Sequence, residues 1–178
     1  MNSGYDEAKT QRNALERLLE KIPGFRGFQD RELRRDVDRL QREYLAGELG
    51  RLKSLLRERS RERVDRGGLA DLALFDRIDR SLDGLSQQIR FSDYGASGLF
   101  DAVKIGEAEL ARLYEFDVSI LGDLGQIEAA IAAVPRPGAE GGDDPAPALQ
   151  SLYDRVRALG DRWGQRDDVI GRVVQTGR

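Results

Sequence analysis

Asp76, Asp79 and Asp83 are the first residues in this sequence whose type and spacing suggest chemistry. Steps of three and four put all three on one helical face. Three carboxylates in a row suit a hard cation. No second helix offers a matching set of acids, and arginines are abundant, so salt bridges between helices are the expected use of this row. Asp117 is the second candidate. It falls one turn from both Leu113 and Leu121, in the middle of an apolar face. A carboxylate there must be paired, hydrogen-bonded or protonated. A catalytic acid would need a nucleophile, a base or a second acid at a recognisable spacing, and none accompanies it. The expected role of Asp117 is a register-fixing pair with an arginine or tyrosine of a neighbouring helix.

Two further stretches concern binding. RLKSLLRERSRERVDR, residues 51–66, carries seven basic and three acidic residues. Arg57, Arg59, Arg61 and Arg63 there would suit a phosphate backbone or lipid headgroups. The ordinary use of such a run is a solvated face on which Glu58, Glu62 and Asp65 pair along the helix. FSDYGASGLFDAVKI, residues 91–105, gathers Phe91, Tyr94, Leu99 and Phe100 around small residues. It lacks the Gly-Lys-Ser/Thr of a phosphate-binding loop. It reads either as a structured corner or as a tip that binds a partner or touches a membrane, where aromatics supply contact area at low entropic cost.

Composition removes much else. The 178 residues include no histidine and no cysteine. That takes away the commonest general base and metal ligand, the thiol nucleophile and any disulfide framework. No catalytic, metal or cofactor site is expected. Net charge is -3, so nothing global attracts nucleic acid or anionic lipid. By segment the charge is uneven: residues 30–66 carry +3 and residues 67–134 carry -7. Antiparallel neighbours that attract one another fit this better than an acidic ligand does. The opening residues are polar, and no run approaches the roughly 18–20 apolar residues of a membrane span. The expected location is the cytoplasm. Twenty-five arginines against four lysines suggest GC-rich coding and a bacterial source.

These residues need long helices to position them. Residues 30–66 read as one helix with Asp30 as N-cap and Gly67-Gly68 as stop, roughly 55 Å long at 1.5 Å per residue. Its apolar stripe begins as Leu33, Val37, Leu40 and Tyr44 and then moves sideways to Leu45, Leu49, Leu52 and Leu56. Two contact faces are therefore predicted, with Gly47 admitting a close neighbour at the crossover. Leu72, Phe75, Ile78, Leu82, Leu85 and Ile89 alternate in steps of three and four, a coiled-coil rhythm, over about 69–90. Leu110, Leu113, Tyr114, Leu121, Leu124, Ile127 and Ile131 mark a helix over about 106–134. A short helix at 6–22 precedes these. VPRPGAEGGDDPAPA is a linker, followed by a short helix from Leu149 to Trp163 interrupted by Gly160 and Gly164.

The blocks IPGFRGFQDRELRRDVDRL, IRFSDYGASGLFDAVKI and LYEFD together resemble a set of functionally unassigned bacterial helical proteins associated with membrane-scaffold systems of the SPFH (stomatin-like) and phage-shock type. The similarity covers roughly residues 20–130 and includes no catalytic motif. The long-hairpin outline also resembles phage-shock coat proteins and their ESCRT relatives. The resemblance implies a helical scaffold near a membrane.

The expected fold is all-α: an elongated antiparallel three-helix bundle, built from a long hairpin and a third long helix, with short N- and C-terminal helices. Residues 6–134 form the bundle, 135–147 the linker, and 148–178 the C-terminal helix and tail. The expected function is a non-enzymatic scaffold or adaptor that binds a protein partner or itself, with peripheral membrane contact as one setting. The alternative is a basic-helix binder of nucleic acid or anionic lipid.

Overall fold

The computed structural model describes residues 33–69, 71–92, 107–136 and 144–176, with side chains over 39–69, 71–92, 115–136 and 144–166. Among the described residues the chain is all-helical, with four helices and no strand. They are α1 (Leu33–Val64), α2 (Leu72–Phe91), α3 (Glu107–Ala132) and α4 (Ala146–Thr176). The helix expected at 6–22 lies outside the described residues. The chain divides into two compact units. The first comprises Met1–Tyr44, Ser92–Leu121 and Arg162–Arg178, and the second Leu45–Phe91 and Gly122–Asp161.

In the second unit each helix buries one apolar face. Leu45, Leu49, Leu52 and Leu56 come from α1, and Phe75, Ile78, Leu82, Leu85 and Ile89 from α2. Leu124, Ile127 and Ile131 come from α3, and Leu149, Leu152, Val156 and Leu159 from α4. The steps are of three and four throughout, the spacing that keeps one face of a helix inward. Four polar contacts tie α1 to α2 and to Asp71 just before it. Ala46 meets Ser86, Lys53 meets Asp83, Arg57 meets Asp79 and Arg63 meets Asp71. The described residues of the first unit bury Ile120, Leu121 and Trp163, together with the polar Gln41, Arg42, Asp117 and Arg166.

The turn after α1 explains both of its glycines. Gly67 has φ +81, in the left-handed region that side chains disfavour. The Gly68 N–H donates to the Arg63 carbonyl and the Gly67 N–H to the Val64 carbonyl, each at 2.9 Å. This pair of bonds closes the helix as a Schellman motif and satisfies carbonyls that would otherwise be left open. A Cβ on Gly68 would meet the Arg63 carbonyl oxygen at 3.3 Å and the Arg63 Nε at 3.4 Å, so the second glycine makes room for the Arg63 side chain. Arg63 in turn reaches Asp71, just before α2, at 3.4 Å. The carbonyl of Asp71 accepts from the Leu74 and Phe75 N–H groups as that helix begins.

Three expectations change. The sequence predicts a short C-terminal helix and leaves open whether the tail with Val169, Ile170, Val173 and Val174 continues it; α4 runs for 31 residues, through Gly160 and Gly164. Asp144 Oδ1 accepts from the Ala146 N–H at 3.0 Å at its start, and Pro147 sits in the first turn, where a missing N–H leaves no bond unmade. Burial of Leu152, Val156, Leu159 and Trp163 outweighs two glycines that each cost about 1 kcal/mol against alanine. With α4 the described residues hold four long helices instead of three. Of the two stripes predicted in α1, Leu33 and Val37 of the first lie outside the described side chains. Gln41, Leu45, Leu49, Leu52 and Leu56 form one buried line, while Leu40 and Tyr44 are half-buried. Nor does Gly47 admit a neighbour: it is exposed, and an added Cβ would meet nothing within 4 Å.

Candidate functional site

The carboxylate row is held by cations of α1. Lys53 Nζ lies 2.6 Å from Asp83 Oδ1 and 3.7 Å from Asp79 Oδ2, so an ammonium stands where the two carboxylates would have gripped a metal ion. Arg57 adds a two-pronged contact, with Nε 2.7 Å from one oxygen of Asp79 and Nη2 3.1 Å from the other. Asp76 is exposed. Among the described residues no group of three or more acidic, histidine or cysteine side chains could hold a metal ion. A third link joins α1 to α3: Arg51 Nη1 and Nη2 each lie 2.7 Å from an oxygen of Glu128.

These contacts set the carboxyl groups' acidity. The hydrogen bond from Lys53 holds Asp83 below its ordinary 3.8, and that from Arg51 holds Glu128 below its ordinary 4.5. A lowered folded-state value means stabilisation that is complete above the ordinary value and lost as pH falls through the folded one. Lys53→Met is therefore expected to return the Asp83 titration toward 3.8 and leave Glu128 where it was. A carbon-detected NMR pH titration of the side-chain carboxyls checks this. An unmoved Asp83 would mean that the Lys53 contact is not kept in solution.

Asp117 sits on α3 with 1% of its surface exposed, and Arg166 of α4 with 5%. Arg166 donates through Nε to Oδ1 at 2.9 Å and through Nη2 to Oδ2 at 3.2 Å. The Arg166 guanidinium also lies 5.1 Å from the centre of the Trp163 ring, a cation–π distance. One turn earlier, Arg162 donates to Ser119 Oγ at 2.6 Å and lies 5.8 Å from the Phe116 ring centre. Two arginines of α4 thus each combine a hydrogen-bond acceptor on α3 with an aromatic face. This arrangement satisfies the buried charge that the sequence pattern marks at Asp117. Arg42 is buried as well, and its Nη1 donates to the Ser92 carbonyl, just beyond α2, at 2.9 Å.

The other predicted site residues fall in different places. Arg57 and Arg63 face carboxylates of Asp79 and Asp71. Arg59 lies 3.1 Å from Glu62 of the same helix. Arg61 is exposed and makes no ion pair among the described residues. The four arginines therefore do not form one open stripe. Phe91 is 69% exposed at the end of α2, and Tyr94, Leu99 and Phe100 lie outside the described residues. Sequence reasoning missed Arg166. Its position continues the line Leu152, Val156, Leu159 and Trp163 in steps of four and three, a signal that appears once the helix is followed past Gly164.

No protein-family model matches the chain, and neither a curated protein nor a solved structure matches it. Among the described residues no helix is long and apolar enough to cross a membrane.

Proposed function

We propose that this chain is a non-enzymatic scaffold or adaptor that works through protein–protein contact or self-association, with the cytoplasmic face of a membrane as one setting. In this reading α1 and α2 form an antiparallel hairpin, and the later helices complete a bundle along it. The observation that carries the reading is the contrast between charged and apolar side chains. Carboxylates with the spacing for chemistry are engaged by cations, as Asp79, Asp83 and Asp117 are. Phe91, at 69%, is the most exposed of the large apolar residues described, and it opens the aromatic segment 91–100. Such a residue supports contact with another macromolecule rather than catalysis. The setting near a membrane comes from the resemblance to SPFH and phage-shock scaffolds. The basic-helix alternative is weakened, because Arg57, Arg59 and Arg63 are engaged by acidic partners within the chain.

Size-exclusion chromatography with light scattering tests the self-association part. The wild type is expected to carry more than one chain per particle at micromolar concentration, and Phe91→Ala and Phe100→Ala to reduce that number. A wild type that stays monomeric removes self-association. Variants that keep the wild-type particle size remove the aromatic segment from the contact.

A further inference from the structure

After proline, glycine is the residue least suited to a helix interior, and each one weakens local helix formation roughly fivefold against alanine. Three of the helices nevertheless carry a pair. Gly47 and Gly50 lie in α1, Gly122 and Gly125 in α3, and Gly160 and Gly164 in α4, which has a further single glycine, Gly171, in its last two turns. A glycine in a helix is usually explained by a neighbour too close for a Cβ, or by a left-handed backbone. Neither applies here. An added Cβ would meet nothing within 4 Å at five of these positions, and at Gly160 only Leu85 Cδ1 at 3.9 Å, an ordinary contact. Among the described residues Gly67 alone has a positive φ. Alanine would fit at all six sites.

A second observation concerns where the pairs fall. The division of the chain into two units passes after Tyr44 in α1, after Leu121 in α3 and before Arg162 in α4. Gly47 and Gly50 follow the first of these borders closely. Gly122 opens the segment after the second, and Gly160 and Gly164 straddle the third. α2 ends at Phe91, where its own border falls, and has a lone Gly84 well inside it. Each helix that continues past a border has a glycine pair at it, with no steric reason inside the chain.

We propose that the three pairs are a conformational device, points of low stiffness at which α1, α3 and α4 open or bend. Without a Cβ the backbone there is more accessible to water and loses the side-chain contacts that hold neighbouring turns, so local opening costs less than elsewhere in the same helix. The device stands apart from the scaffold reading and holds whatever the chain binds.

Hydrogen exchange on the full-length protein tests it. Backbone amides at 45–53, 120–128 and 158–166 are expected to exchange about tenfold faster than amides two turns away in the same helices. The amides around Gly84, with one glycine instead of two, should exchange more slowly than those at the paired sites. The variant with alanine at positions 47, 50, 122, 125, 160 and 164 is expected to fold, since each site has room. Exchange in its three windows should slow roughly fivefold or more. Even protection along the wild-type helices would overturn the proposal. So would alanine windows that exchange as before, or a Gly84 region as fast as the paired sites.

Discussion

Asp117→Ala is expected to destabilise the protein by about 3–5 kcal/mol, because it takes from a buried guanidinium the carboxylate that it holds by two hydrogen bonds. The side chain of Arg166 is 6% exposed and that of Asp117 is 1% exposed, so neither can turn to water without opening the fold around it. The two-pronged contact, at 2.9 and 3.2 Å, joins α3 to α4 at this point. Arg166→Ala should cost a similar amount, since it strands the carboxylate instead. Asp117→Leu combined with Arg166→Met removes both charges while keeping apolar volume. It should recover most of the loss, as buried ion pairs replaced by apolar residues often do. Urea denaturation followed by circular dichroism measures all three variants. If Asp117→Ala cost under about 1 kcal/mol, the pair would have to be open to solvent. If the double variant were as unstable as the single ones, the pair would be giving more than mutual neutralisation.

Leu52→Ala is the second large effect, at about 2–5 kcal/mol. Leu52 is fully buried in the middle of the α1 line, with Leu49 before it and Leu56 after it. Its sequence neighbours Arg51 and Lys53 are tied to Glu128 of α3 and Asp83 of α2. Leu52→Met, which keeps the volume, should cost less than about 1.5 kcal/mol. Leu69→Ala is the control. Leu69 is 63% exposed, and its removal should change stability by no more than about 0.5 kcal/mol. Denaturation midpoints at unchanged slope would report these differences. Equal midpoints for Leu52→Ala and Leu69→Ala would contradict the buried line of α1.

The sequence pattern conveyed what depends on near neighbours. The α2 face is legible because Phe75, Ile78, Leu82, Leu85 and Ile89 repeat within one uninterrupted helix, and all five are buried. Asp117 is legible as an anomaly for the same reason, since its apolar surroundings recur one turn away on each side. Its partner is not, because Arg166 lies 49 residues further on, past two glycines that appear to the eye as breaks. The line through Gln41 is hidden in a different way. A local pattern assigns Gln41 and Arg42 to solvent and Leu40 to the core, whereas Arg42 is buried with its guanidinium on a carbonyl 50 residues away. Long-range hydrogen bonds of this kind leave no periodicity to read. The basic run illustrates the converse. Its charge against that of residues 67–134 points to pairing within the chain, but which acid each arginine meets, Asp71 for Arg63 and Asp79 for Arg57, is not written in the run itself.

The preference for arginine over lysine has a consequence beyond base composition in a gene. Arg51, Arg57 and Arg166 each present two nitrogens to the two oxygens of a single carboxylate. Only a planar fork can do this, and it fixes the angle as well as the separation of the helices it joins. Lys53 does the opposite task. It is the one lysine among the described side chains, and its compact ammonium lies between Asp79 and Asp83, which a fork aligned on either would serve less well. The two cations are therefore not synonyms in this protein. Exchanging lysine for arginine at 51, 57 or 166 would preserve the charge and discard the orientation, and the reverse exchange at 53 would keep the orientation of one pair and give up the bridge.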